Sequence, residues 1–302
     1  MKRTRTKERA SGILCGDLHL RIDTPTCRTD DFEAAQWNKL DFISDLQRTH
    51  NCPVLCSGDL FHHWKPTPYL LSKTIEHLPE QFHTVYGNHD LPQHNINEQE
   101  KCGIFTLWKA GKLTVLNGTH WGEIPSTPSK IIDYMIDDEN YSVLQRQILV
   151  YHIMTYQTKK PWPGIKSPKA GGLLRKYPDY DLILTGDNHQ AFVEKHDGRV
   201  LVNPGSMMRQ SAGQIDFKPR VYLYYEKTNT VEPVFLPIES GAVSRTHIER
   251  GEERDERIGA FIEKLQGTWD GGLNFEANIE EFFQANKISD PVKQITYKAI
   301  ES

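Results

Sequence analysis

Five short apolar runs, each closed within one to three residues by a polar cluster, constrain this 302-residue chain more than any other feature. The runs are residues 13–15, 54–56, 83–86, 148–151 and 182–185. Runs of this length and apolarity predict buried strands. The clusters behind them are Asp17-Leu18-His19, Gly58-Asp59, Gly87-Asn88-His89-Asp90, His152 and Gly186-Asp187-Asn188-His189. Between the first two runs, Asp30 or Asp31 can cap a helix in which Trp37, Leu40, Ile43 and Leu46 recur every third residue. Residues 68–78 and 98–110 predict further helices. Strands alternating with helices imply a mostly parallel layer with helices outside. In open α/β sheets ligands bind beyond the carboxyl ends of the strands, so five polar strand ends can converge on one crevice.

Further along, the rhythm changes. Residues 192–195 and 200–203 flank Asp197-Gly198, and 220–225 and 230–236 flank 227–229; both patterns predict hairpins. From about residue 240 the texture shifts again: residues 241–302 hold 8 Lys+Arg against 12 Asp+Glu, a difference equal to the whole net charge of −4. Helices are expected at 254–265 and 278–285, with Gly267-Thr-Trp-Asp-Gly-Gly272 as a break. The expected organisation is a solvated basic arm at 1–12, a catalytic-type body at 13–238, and an acidic cap or partner-binding segment at 239–302.

Composition excludes several classes. No stretch approaches the roughly 18 uninterrupted apolar residues of a membrane span, and the basic N-terminus lacks the apolar core of a secretory signal. Five cysteines (Cys15, Cys27, Cys52, Cys56, Cys102) form no C-x-x-C pair, which suits reduced, buried thiols in a cytoplasmic, non-secreted protein. The net charge argues against gripping nucleic acid by bulk charge alone.

Carboxylate, imidazole and amide oxygen without thiolate is a donor set for borderline and hard divalent metals. Two ions about 3.5–4 Å apart, bridged by a carboxylate, can activate a water and clamp an in-line phosphoryl displacement. Glycines before Asp59, Asn88 and Asp187 permit tight turns that aim these side chains inward.

The ordered set D-x-H, G-D, G-N-H-D, a strand-end His and G-x-x-H resembles the calcineurin-like metallophosphoesterases across residues 15–209. Gly58-Asp-Leu-Phe-His62, followed by Lys65-Pro66-Thr67, resembles the SbcD-type (meiotic recombination eleven-like) DNA repair exonucleases. So do Gly87-Asn-His-Asp-Leu-Pro92 and Asn203-Pro-Gly-Ser206 with Arg209. The resemblance implies a four-layer α/β/β/α sandwich with a short C-terminal appendage. It implies one metal held by Asp17, His19, Asp59 and His189, and a second held by Asp59, Asn88, His152 and Asp187. Where the family usually has G-H-x-H, this chain has Asp187 in place of an imidazole. His89 would protonate the leaving oxygen, with Asp90 orienting it, and His62 would position the phosphate. Lys65 and Arg209 are expected at the substrate.

The segment 155–172 leaves directly from His152. It carries Lys159, Lys160, Lys166 and Lys169 with Tyr156 and Trp162 interleaved and no acidic residue. Lys159, Lys160 and Trp162 therefore suit a backbone phosphate and an unstacked base; a solvated Pro-rich loop is the competing reading. His63, His77, His83, His94 and His120 read as ordinary histidines, and Gly171-Gly172 as a flexible turn. The function this points to is a divalent-metal-dependent DNA nuclease using two Mn²⁺ (or Mg²⁺) ions. It would be an exonuclease with endonuclease capacity, in a bacterial or phage-infected cell. The partners implied are DNA, an SbcC-type SMC-like ATPase and a second copy of the chain. A phosphomonoesterase or cyclic-nucleotide phosphodiesterase, and a metal-free scaffold of the same fold, are the alternatives.

Overall fold

A computed structural model describes residues 9–116, 129–130, 146–161, 163–246, 248–251, 254, 256–258 and 275–300. The chain divides into two units, Met1–Ser244 and Arg245–Ser302.

In the first unit, β1 (Gly12–Cys15), β2 (Val54–Cys56), β3 (Phe82–Thr84) and β4 (Thr114–Val115) run parallel, with α1 (Phe32–His50), α2 (Pro68–His77) and α3 (Gly103–Lys109) in the crossovers. A second sheet holds β5 (Ser129–Lys130), β6 (Ile148–Tyr151), β7 (Leu182–Thr185), β8 (Phe192–His196) and β9 (Arg199–Asn203), with α4 (Ala170–Lys176) between β6 and β7. The antiparallel hairpin β10 (Arg220–Tyr225) and β11 (Thr230–Phe235) returns to pair with β1. The strand orders are β11-β10-β1-β2-β3-β4 and β5-β6-β7-β9-β8.

Strand alternation builds four layers from this. Ile13, Cys15, Val54, Cys56 and Phe82 face outward onto Trp37, Leu40, Ile43, Leu70, Ile104 and Leu107 of α1–α3. Their neighbours Leu14 and Leu55 face the other way, joining Tyr222 and Tyr224 against Ile148, Val150, Leu182, Leu184, Val200 and Val202 of the second sheet. The remaining residues of that sheet, Leu149, Ile183 and Leu201, pack on Ala170, Leu173 and Leu174 of α4. Because both faces of both sheets are covered, the central strands are apolar throughout, which is why they read as runs rather than alternations.

Local chemistry sets the ends of the elements. Asp31 caps α1, accepting from Ala34 N at 2.9 Å; Asp30 instead pairs with Arg28. Thr67 caps α2, with Pro68 in its first turn. At the β8–β9 turn Asp197 and Gly198 both take positive φ (48° and 73°), as a two-residue hairpin turn of the primed type requires.

Three sequence expectations are corrected. The helix expected at 98–110 breaks at Cys102 (φ −99°, ψ 164°) into a 3₁₀ segment, Ile96–Lys101, and α3. The cause is close docking: a Cβ on Gly103 would lie 2.4 Å from Pro66 Cγ, and Gly103 N donates to Trp64 O. The strand expected at 83–86 occupies Phe82–Thr84. Gly171-Gly172 is not a turn: both glycines lie in α4, where Gly171 packs close to Glu194.

All five cysteines are free and buried, and Cys15 and Cys56 are register partners. Ala10, within the expected arm, is buried and donates to His50 Nδ1; residues 1–8 lie outside the described residues.

In the second unit, α5 (Phe275–Ala285) contains the helix expected at 278–285. A further helix, α6 (Asp290–Ile300), was not anticipated. Ile279, Phe282 and Phe283 are buried, with Ile288 and Tyr297 against them. Most of the helix expected at 254–265, and the glycine break after it, fall outside the described residues. No described helix is long and apolar enough to cross a membrane.

Leu184 is fully buried between the two sheets. Leu184→Ala should therefore lower the unfolding free energy by about 2–5 kcal/mol in denaturant titration, through lost transfer energy and a residual cavity. A loss under about 1 kcal/mol would mean that the sheets do not share this core.

Candidate metal centre

The polar strand ends converge. Beyond β1 and β2 the chain leaves in parallel, with Asp17 N donating to Gly58 O (3.1 Å) and His19 N to Asp59 O (2.9 Å). Asp17, His19, Asp59 and Asp187 all adopt positive φ, from 47° to 68°, a conformation that is uncommon for residues other than glycine and concentrates at functional sites. Gly58 (φ 99°) is enclosed: a Cβ there would lie 2.9 Å from both Gly87 N and His152 Nδ1, so only glycine lets three strand ends close together.

Three ligand triads result among the described residues, Asp17–His19–His189, Asp17–Asp59–His152 and His19–His62–His89, in each of which the donor atoms lie within 4.8 Å of one another. Asp59 Oδ2 stands 3.5 Å from His19 Nε2 and 3.5 Å from His152 Nε2. His19 Nε2 and His189 Nε2 face each other at 3.1 Å. Asn88 Oδ1 lies 2.8 Å from His152 Nε2, while His152 Nδ1 is fixed on Ser57 O at 2.7 Å. Ser57 O thereby selects which imidazole nitrogen faces the cluster.

The residues fit divalent ions. Asp17 Oδ2, Asp59 Oδ2 and His19 Nδ1 are buried without a hydrogen-bond partner, an unfavourable state that bound cations would relieve at the carboxylates. Burial raises Asp17 to about 7, opposed by His152 and by the hydrogen bond from Asp187 N, with the Asp59 carboxylate adding. Burial likewise pushes Asp59 well above the usual carboxylate range, with Asp90 adding. Burial holds His19 well below the usual imidazole value, assisted by His189 and His89, and lowers His189 too. Carboxylates reluctant to ionise beside imidazoles reluctant to protonate make a cluster short of positive charge.

The other expected site residues divide. His89 and His62 stand beside the cluster: His89 and His19 are 4.7 Å apart edge to face, and His62 stacks on His89 at 5.5 Å. His89 N donates to Asp59 Oδ1 (2.9 Å), and His89 Nδ1 meets His62 O (2.9 Å). Asp90 does not bond the His89 ring. Its carboxylate accepts from Leu60 N, Phe61 N and Gly87 N, because the two turns bring three amides to it, and the ring is oriented by His62 O instead. Asp187 donates its backbone N–H to Asp17 Oδ1 (2.9 Å) and lines the adjoining clefts, but belongs to none of the three triads. Arg209 is buried with its guanidinium on the carbonyls of Ile215 and Glu239, so its bonds are structural. Lys65 is exposed, as are Lys159 and Lys160, and Lys160 Nζ reaches Ile165 O. Trp162 lies outside the described residues, as does His120.

Two further residues brace the site. His94 Nδ1 meets Asn88 O at 2.8 Å from a left-handed turn at Gln93 and His94. Asn203 Nδ2 donates to Asn188 O and Gln190 O, fastening the turn that carries His189. The Asn-Pro-Gly-Ser motif pointed to Asn203; nothing in the sequence marked His94.

Two measurements follow. Asp17 keeps its proton in the folded apo-chain up to about pH 7, whereas an unfolded carboxyl releases it near pH ~4. Its contribution to stability is thus full below about pH 4 and is lost as pH rises through 7. A divalent ion must displace that proton, so Mn²⁺ affinity should climb as pH rises toward 7 and flatten above it. Calorimetry in buffers of different ionisation enthalpy reads the proton release; an affinity independent of pH over this range would exclude Asp17 as a ligand. Asp187→Gly removes a carboxylate while keeping the positive φ, and should weaken one of two Mn²⁺ sites. Unchanged stoichiometry and affinity would leave Asp187 a turn residue.

The model of the calcineurin-like phosphoesterase superfamily domain matches residues 13–218. No curated protein matches the sequence. Among solved structures, an archaeal phosphodiesterase is similar at 10% identity and a TM-score of 0.41, over 74% of this chain and 99% of that one. Vps29 complexed with Zn²⁺ from Entamoeba histolytica is similar at 14% identity and a TM-score of 0.34, over 74% and 97%. Vacuolar Protein Sorting 29 from Cryptosporidium parvum is similar at 16% identity and a TM-score of 0.36, over 76% and 97%. With more than half of its length matched by the family model, the chain belongs to the calcineurin-like phosphoesterase superfamily.

Proposed function

We propose that this chain is a divalent-metal-dependent phosphodiesterase that cleaves DNA, as an exonuclease with endonuclease capacity. The observation that carries the reading is the position of Asp59 Oδ2, partnerless and equally distant from His19 Nε2 and His152 Nε2, where one carboxylate can serve two ions. Asp17, His19, Asp59 and His189 would hold one ion, and Asp59, Asn88 and His152 the other, with Asp187 completing it. Bound there, the ions would supply an activated water and neutralise charge on the attacked phosphate.

The protein's own groups do the rest. With His62 O accepting from His89 Nδ1, Nε2 is the nitrogen left for substrate; in the protonated ring it donates to the leaving oxygen. His62, lowered to about 4 by burial and by Arg21 beside it, stays neutral and offers a hydrogen bond rather than a charge to the phosphate. DNA as substrate rests on the Gly58–His62 and Lys65-Pro66-Thr67 motifs and on the lysines of segment 155–172. Because the chain is acidic overall, the proposal includes an SbcC-type SMC-like ATPase, engaged through residues 239–302, and a second copy of the chain as sources of further grip on DNA.

End-labelled duplex and single-stranded DNA, p-nitrophenyl phosphate and a cyclic nucleotide, each with Mn²⁺, Mg²⁺ or EDTA, test this. Metal-dependent DNA cleavage is expected. Turnover of the small esters alone would assign a phosphomonoesterase or cyclic-nucleotide phosphodiesterase, and no turnover with no ion bound would assign a metal-free scaffold. His89→Ala should keep its metals and lose about 10²–10⁴-fold in DNA cleavage rate; near-normal cleavage would remove His89 from this role.

A further inference from the structure

Two clefts open on either side of Asp187 and Met154. The smaller, about 300 Å³, ends on His152 and carries Lys166. The larger, about 640 Å³, runs from His89 and His189 to Phe217, and among the described residues no Lys or Arg lines it. Its size falls within the range of small-molecule sites, about 300–1,000 Å³, and its wall carries the carboxylate of Asp187 and the imidazoles of His89 and His189 at the metal-centre end, with amides, Ser211 and Phe217 beyond.

Phe217 is half-buried and, among the described residues, belongs to none of the apolar clusters that join the sheets and helices. Its ring is nonetheless held in place. Phe217 N donates to Gln214 O, and the ring edge lies over Gly205, where a Cβ would come within 2.9 Å of Phe217 Cζ and 2.8 Å of His189 O. Gly205 at φ 73° therefore permits an aromatic ring to stand directly beside the turn that carries His189.

The amides of the cleft are mostly engaged. Asn188 bonds Thr155 O and Gln190 N, and Gln214 caps the turn at Ser211. The exposed Gln190 side chain makes no hydrogen bond among the described residues.

We infer that this larger cleft receives the nucleobase of the departing nucleotide, stacked on Phe217 with the Gln190 amide facing its hydrogen-bonding edge. The inference rests on the nucleotide substrate proposed above and deepens it. A fixed aromatic ring in a wall without lysine or arginine among the described residues suits a flat heterocycle better than a second phosphate, and the cleft starts at His89 and His189, beside the phosphate under attack. Stacking accepts every base because each has a π-face. One amide distinguishes bases weakly, so the enzyme would cleave with little sequence preference.

Calorimetry with Mn²⁺ present compares dAMP with 2-deoxyribose 5-phosphate, which carries the same phosphate and no base. The wild type should bind dAMP at least about tenfold more tightly, in line with stacking on an aromatic side chain. Phe217→Ala should abolish the difference and Phe217→Trp should keep it, with Mn²⁺ stoichiometry unchanged in both as the check on folding. A wild type without preference, or a Phe217→Ala protein with the wild-type preference, overturns the base site. The nuclease reading is judged separately on linear DNA. A dAMP preference without DNA cleavage would overturn that reading and leave the base site standing; DNA cleavage without the preference would do the reverse.

Discussion

The carboxylate of Asp59 is the interaction on which the site depends. One oxygen holds the backbone of His89; the other faces two imidazoles from different strand ends with no hydrogen at hand. A buried carboxylate of this kind is costly unless a cation meets it. The fold keeps it in place by bracing the backbone around it: Asp59 O accepts from His19 N, and Asp90 ties Leu60, Phe61 and Gly87 together just behind. The destabilisation is local, and the central strands beneath it are buried on both faces, by helices outside and by the facing sheet inside.

That division of labour explains why the chemistry sits at one rim. Parallel strands end on the same side: β1 ends level with β2, and β6 with β7, because each ladder is in register. Each then turns sharply, so side chains that would otherwise alternate between faces are aimed across the gap between sheets. The Asn203–Gly205 turn joins from the same edge, fastening the His189 loop from behind.

Much of this was legible in the sequence because burial on both faces leaves continuous apolar runs, and polar residues immediately after such runs have few places to go. The strands at 54–56, 148–151 and 182–185 and the gathering of Asp17, His19, Asp59, Asn88, His89, His152 and His189 follow from that pattern, and the two hairpins from the turn residues between their strands. What was missed depends on tertiary contacts. Cys102 breaks a helix because Gly103 docks on Pro66. Asp90 serves backbone amides rather than the adjacent ring, and Arg209 meets carbonyls from distant loops. Neither sequence spacing nor residue type encodes such partners.

The left-handed backbone at Asp17, Asp59 and Asp187 bears on how a site like this can be lost. Asn tolerates that conformation better than most residues, and it has the shape of Asp without the charge. A single Asp-to-Asn step at any of these positions would leave turn, strand register and core as they are while removing what attracts a cation. Metal binding can therefore decay in descendants of such a chain with no trace in the backbone. Two proteins that superimpose closely in this fold can then differ completely in chemistry, and the identity of three side chains separates them better than any superposition.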